Sequence, residues 1–138
     1  MTAKQTLLSQ FDTMTKQLNA VIAGFPEAEA RKTREGMSMS PLQMVEHLCD
    51  CIQAYKAPDR RTYFWGSYKL ADDTVTGALT ALNTERTAVR AFIEGTSDEK
   101  LLEESFDYLM SHDAYHVGQL AACRMASDPA WDSMSLYH

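Results

Sequence analysis

Two histidines toward the C-terminal end of the chain have the spacing of a shared metal site. His112 and His116 lie four residues apart in the segment SHDAYHVGQL. In an α-helix this spacing places both imidazoles on one face, about one turn apart, where they can bind the same ion. A helical wheel puts His116 within the apolar stripe of this segment and His112 at its edge. The alternative is a pair of core or rim histidines that are satisfied by hydrogen bonds.

A third histidine could supply another ligand to the same ion. His47 lies near Met44 and Cys51 at the margin of an earlier amphipathic segment. Two helices could therefore bring three imidazoles around one point. Three neutral nitrogen ligands and a vacant position are typical of a reactive metal site, whereas a structural zinc site has four protein ligands.

Other residues beside these histidines could also bind or surround an ion. Cys51 lies one turn after His47, and Asp50 lies three residues after it. A Cys51 thiolate would favour zinc and fill the fourth position. The other interpretation is a half-buried thiol and a solvated carboxylate. Tyr115 and Gln119 flank the later histidines and are candidates for the pocket wall.

Two charged residues fall in the middle of apolar stripes. Asp113 gives the later segment the H-D-x-x-H spacing of a zincin, with Asp in place of the Glu that acts as general base. Arg86 has the same central position on the preceding segment. Because a buried charge is costly unless it is paired, we expect an Arg86–Asp113 ion pair, or Asp113 as an anchor for a ligand imidazole. Alternatively, the guanidinium of Arg86 extends to solvent.

Four amphipathic segments must position these residues, and the first two have clear ends. Apolar residues recur at steps of three and four over residues 7–25, which predicts a helix. Residues 26–39 are predicted to form a loop. Ser40 and Gln43 form a capping box at the start of the second helix, and Pro58 ends it.

A longer connection, residues 58–71, leads to the third helix. It could roof a pocket beside the histidines, although core packing or a dimer contact would also use aromatic side chains. The third helix is predicted to start at Asp72 or Asp73 and to end at Gly95. The aromatic residues of the connection are Tyr63, Phe64, Trp65 and Tyr68.

The fourth helix is predicted to open with a capping box of Thr96 and Glu99, and to continue to about Ala126 with a break near Glu103. Four helices of about 18–28 residues, each with one apolar stripe, bury those stripes best against one another. The sequence therefore predicts an all-α fold, a four-helix bundle, with residues 1–138 as a single domain. The apolar stripe of the fourth helix consists of Leu102, Phe106, Leu109, Val117 and Leu120.

Composition excludes several classes of partner. The chain is 45% hydrophobic and 23% charged, as in ordinary globular proteins. A net charge of −6 without a run of Lys or Arg argues against nucleic acid. No segment has the roughly 18–20 apolar residues of a membrane span. The three cysteines are odd in number and lie mostly on apolar faces, which predicts reduced thiols and a cytoplasmic location.

Two segments resemble the signature regions of the DinB-like superfamily of damage-inducible, metal-dependent proteins. They are SPLQMVEHLCD, with a histidine in an E-H-L context, and YLMSHDAYHVGQLAACR, with the pattern H-D-x-Y-H-x-G-Q-L. The resemblance implies a four-helix bundle, often a homodimer, with a three-histidine site for zinc, nickel or a similar ion plus water. The ligands of that ion would correspond to His47, His112 and His116.

The expected cofactor is one divalent transition metal per chain, zinc or nickel first, with iron, copper or manganese as alternatives. By lowering the pKa of bound water toward about 7, such an ion could serve a metal-dependent hydrolase. It could also serve a thiol S-transferase, which the resemblance suggests too; in both cases the substrate would be a small molecule. Two alternatives remain: a non-catalytic metal-binding or stress-response protein, and a helical interaction module in which the histidines are structural.

Overall fold

The computed structural model describes all 138 residues and contains helices but no strand, so the all-α prediction is confirmed. A π-helical segment, Phe106–Ser111, joins the last two α-helices, and a 3-10 turn, Ser133–Leu136, follows them. No helix has the length and apolar character needed to cross a membrane. The α-helices are α1 (Ala3–Ile22), α2 (Glu27–Ala30), α3 (Pro41–Lys56), α4 (Val75–Gly95), α5 (Glu99–Ser105) and α6 (His112–Ser127).

Four long helical segments pack around one core. Helix α1 packs against α4 and α6, and α3 packs against the same two helices, so α4 and α6 face each other across the bundle. Their apolar stripes form one cluster of 26 buried residues. This is the predicted four-helix bundle, with α5, the π-helical segment and α6 together as its fourth member. Within the predicted loop 26–39, the structure adds one helical turn, α2.

The start of α3 sets the position of His47. The side chain of Ser40 accepts a hydrogen bond from the Gln43 amide at 3.2 Å, and Gln43 Oε1 accepts one from the Ser40 amide at 2.8 Å. Pro41 occupies the first helical position. The predicted capping box is therefore present, and it places His47 on the second turn of α3.

Two other helix starts differ from the predictions. Thr74, rather than either preceding aspartate, caps α4, and its side chain accepts from the Gly77 amide. Asp98, rather than Thr96, caps α5. At both places several Ser, Thr or Asp residues lie close together, and each of them could cap a helix. The sequence identified the helices but not which of these neighbours takes the N-cap position.

The predicted break in the fourth helix lies three residues later than Glu103, in the π-helical segment that ends at Ser111. A π turn holds one more residue than an α turn, so it rotates everything that follows relative to a continuous α-helix. Phe106, which the uniform wheel placed in the apolar stripe, is 44% exposed. The residues after this segment present Asp113 and His116 to the interior.

A buried arginine connects three helices of the bundle. Arg86 on α4 is 1% exposed, and its Nη1 donates to Asp113 Oδ2 on α6 at 2.9 Å. Its Nε donates to Thr15 Oγ1 at 2.6 Å, and its Nη2 donates to the Phe11 carbonyl on α1 at 3.2 Å. The Arg86–Asp113 ion pair expected from the sequence is therefore present, and the guanidinium does not extend to solvent.

A buried carboxylate holds the connection 58–71 against α3. Asp50 accepts hydrogen bonds from Tyr63 Oη at 2.7 Å, from the Gly66 amide at 2.8 Å and from the Tyr68 amide at 3.1 Å. Burial alone would raise the pKa of Asp50, but these three donors hold it below the ordinary value. The expectation of a solvated carboxylate is wrong, because Asp50 is buried by the connection that it anchors.

Replacing Arg86 by Met should destabilise the bundle strongly. The Arg86→Met variant leaves the Asp113 carboxylate buried without its partner, and such a loss costs about 3–5 kcal/mol. Urea denaturation measures the change. The control is Arg90→Met on the same helix, which breaks an exposed pair with Asp12 and should cost less than about 1 kcal/mol. Equal stability of Arg86→Met and the parent would contradict a structural role for the pair.

The Asp50→Asn variant should loosen the connection without unfolding the bundle. An asparagine offers one acceptor oxygen instead of two, so at least one of the Gly66 and Tyr68 amides loses its partner. Hydrogen bonds to charged acceptors contribute about 1.5–3 kcal/mol, so exchange of these amide protons should accelerate about tenfold or more. Hydrogen-exchange mass spectrometry measures it. Asp59→Asn is the matched control, since the Asp59 side chain bonds only to Arg61 within the connection. Unchanged exchange in Asp50→Asn would refute the anchoring role.

Candidate metal centre

The three histidines converge between α3 and α6. His47 on α3 and His112 at the start of α6 are half-buried, whereas His116, one turn further along α6, is 2% exposed. His112 Nε2 lies 3.1 Å from His47 Nε2 and 2.9 Å from His116 Nε2. Residues 65 positions apart in the sequence are thereby brought into contact.

Hydrogen bonds between the rings cannot account for both of these contacts. An imidazole nitrogen has one position in the ring plane, which holds either a proton or a lone pair. His112 Nε2 can therefore form one linear hydrogen bond, but it has two nitrogen neighbours within bonding distance. An ion placed among the three nitrogens would use all three lone pairs at once. The arrangement favours a common ligand over a set of hydrogen-bonded rings.

The surroundings keep the three imidazoles neutral. Burial lowers the pKa of His116 to about 4, with further lowering by the His112 and His47 rings. Burial also lowers the pKa of His47 and of His112. All three rings therefore carry a free lone pair at neutral pH, which is the form that binds metal.

Both nitrogen distances from His112 are close to those expected around one divalent ion. Nitrogens bound to a tetrahedral zinc at about 2.0–2.1 Å are about 3.3 Å from each other. The observed spacings of 3.1 Å and 2.9 Å are close to that value. The donor set of neutral imidazoles suits zinc, nickel, copper or iron.

Cys51 lies beside the same cluster and offers a fourth possible metal ligand. Its Sγ lies 3.7 Å from His47 Nε2, and donor atoms of His47, Cys51 and His112 all lie within 4.8 Å of one another. His116 is not one of these three residues, but its Nε2 lies 2.9 Å from His112 Nε2. Burial raises the pKa of the Cys51 thiol to about 12, so without a cation beside it the sulfur keeps its proton.

Two carboxylates close in sequence to the histidines, Asp50 and Asp113, bond to other groups. Asp50 is held by the connection, so it does not approach the imidazoles as a ligand. Asp113 is 3% exposed and bonded to Arg86. It makes no hydrogen bond to a histidine ring, and its position in the core differs from that of a zincin base beside an open metal face.

Tyr115 and Gln119 border the site on α6. Tyr115 is 61% exposed and its ring lies edge-on to His116, with centroids 5.1 Å apart. Gln119 Nε2 donates to Tyr115 Oη at 3.0 Å. His116 Nδ1 and Gln119 Oε1 are both buried without a hydrogen-bond partner. With Nε2 of His116 engaged, Nδ1 would carry the proton, and Gln119 Oε1 is an acceptor suited to it.

An open cleft of about 480 Å³ adjoins the cluster at His47. Trp65 of the connection, together with Lys69 and Glu46, lines it. The Glu46 carboxylate accepts from the Leu70 amide at 3.0 Å and lies 3.5 Å from Lys69 Nζ. The sequence pattern indicates the aromatic residues but not the anchoring roles of Glu46 and Asp50. Their only sequence signal is a pair of acids four residues apart on α3, flanking His47.

Comparison with known proteins agrees with this architecture. The model of the DinB superfamily matches residues 10–122, a range that holds His47, Cys51, His112 and His116. No curated protein and no solved structure gives a match. The family match spans most of the chain. Within the bundle it leaves out only the first two turns of α1 and the end of α6. The chain therefore belongs to the DinB superfamily.

Proposed function

We propose that the protein binds one divalent transition metal through His47, His112 and His116, and uses it in a metal-dependent reaction on a small molecule. The proposal depends chiefly on the position of His112 Nε2, which lies within 3.1 Å of two other imidazole nitrogens. It can form a linear hydrogen bond to only one of them. Membership of the DinB superfamily supports it. Zinc and nickel are the first candidates.

The proposed reaction is hydrolysis or thiol S-transfer. When bound, a divalent ion would act as a Lewis acid and lower the pKa of a water or a small thiol. The protein contributes the cleft beside His47, where Trp65 offers an aromatic wall and Lys69 and Glu46 offer opposite charges. Asp50 and Asp113 are both engaged by other groups, so neither is free to take a proton at the cluster.

Two other functions make different predictions. A non-catalytic metal-binding or stress-response protein would contain the ion but turn nothing over. A helical interaction module would contain no stoichiometric metal, and its histidines would serve packing alone. Formation of a homodimer and a cytoplasmic location stay predictions.

Metal binding should depend on His112 and not on His138. The metal-free wild-type protein, titrated with Zn²⁺ or Ni²⁺, should bind one ion per chain. Because His112 touches both other histidines, His112→Ala should weaken binding by more than about 100-fold, beyond the loss typical of residues that only support a ligand. His138→Ala, at the exposed C-terminus, is the control and should bind as the wild type does.

Calorimetry gives the affinities, and elemental analysis of the purified protein gives the metal content. A wild-type protein that takes up no ion, or an unchanged affinity in His112→Ala, would refute the site. Turnover separates the first two functions. A panel of esters, amides and thiol acceptors that shows no metal-dependent product would favour the non-catalytic protein.

A further inference from the structure

We propose that the thiolate of Cys51 is a ligand of the ion, so that the resting site is closed by the protein as three imidazoles and one sulfur. This rests on the proposed function, since it concerns the same ion. It assigns to Cys51 a role that the three-histidine site does not include.

The spacing of Cys51 is the first observation. Cys51 follows His47 by four residues on α3, so both side chains lie on one face of the helix. A nitrogen at about 2.0–2.1 Å and a sulfur at about 2.3 Å from one tetrahedral zinc are about 3.6 Å apart. Cys51 Sγ lies 3.7 Å from His47 Nε2. The side chains therefore already have the separation of two ligands of one ion.

The lack of any other partner for this sulfur is the second observation. Cys51 is 6% exposed, and its only polar neighbour within bonding distance is the ring of His47. The other two cysteines have different surroundings. Cys49 is hydrogen-bonded to the Tyr68 side chain, and Cys123 Sγ lies 3.4 Å from Met37 Sδ. Of the three buried thiols, Cys51 alone faces the imidazole cluster.

Binding by Cys51 has a defined proton balance and a consequence for metal choice. The S–H bond breaks, a sulfur–metal bond forms, and the proton passes to solvent. Four protein ligands that include a thiolate favour tetrahedral zinc over nickel. A substrate would then enter as a fifth ligand or displace Cys51, so its reaction would begin from a closed site.

Cobalt substitution tests the proposal, because a thiolate bound to Co²⁺ gives an intense near-ultraviolet charge-transfer band that imidazole ligands do not give. The Co²⁺-loaded wild type should show this band. Cys51→Ser should lose it while still binding Co²⁺ through the histidines, with an affinity reduced by more than about 100-fold, beyond the loss typical of residues that only support a ligand. Cys123→Ser, a buried cysteine on α6 away from the cluster, is the matched control and should keep the band.

The outcomes separate the two proposals. Co²⁺ binding by the wild type without the thiolate band, or a band that persists in Cys51→Ser, would overturn the role of Cys51 and leave the three-histidine site standing. A wild type that binds neither Co²⁺ nor Zn²⁺ would overturn both. If Cys51→Ser does not fold, X-ray absorption of the zinc-loaded wild type decides: one sulfur neighbour at about 2.3 Å supports the proposal, and none refutes it.

Discussion

The buried ion pair between Arg86 and Asp113 sets the rotation of α6, and the site depends on that rotation. Asp113 directly follows His112, so their side chains are about 100° apart around the helix. With the carboxylate held at the centre of the bundle by α4, His112 is turned toward α3, and His116 follows it one turn later. Since Arg86 also bonds to α1, a single side chain relates three helices to the face that carries two of the imidazoles.

The histidine cluster lies at the edge of the apolar core and contains buried polar atoms without hydrogen-bond partners. Neutral imidazoles cannot satisfy one another there, and His116 Nδ1 and Gln119 Oε1 are left without partners. A buried polar group without a partner costs about 1–3 kcal/mol, and a ligand that binds only the folded chain adds its binding free energy to stability. A bound ion would therefore stabilise the folded protein. Asp50, three residues after His47 on α3, accepts the hydrogen bonds that hold the connection lining the cleft.

Much of this arrangement could be predicted because it depends on periodicity. The spacing of His112 and His116, the capping box of Ser40 and Gln43, and the central positions of Arg86 and Asp113 all follow from 3.6 residues per turn. The same regularity led to the errors. A uniform wheel does not show the wider π turn before His112, so it places Phe106 inward although that residue is 44% exposed. Where several capping residues are adjacent, as around Thr74 and Asp98, local preference does not choose between them.

The sequence by itself determined the all-α class, the number of long helices and most of the buried faces, because these depend on interactions between residues a few positions apart. Only the tertiary structure decided that His47 meets His112 and His116, that Cys51 faces them, and that Asp50 turns away to anchor residues 63–68. Those contacts depend on how α3 and α6 are placed relative to each other. That placement results from packing and buried polar interactions over the whole core. A local sequence pattern does not encode it.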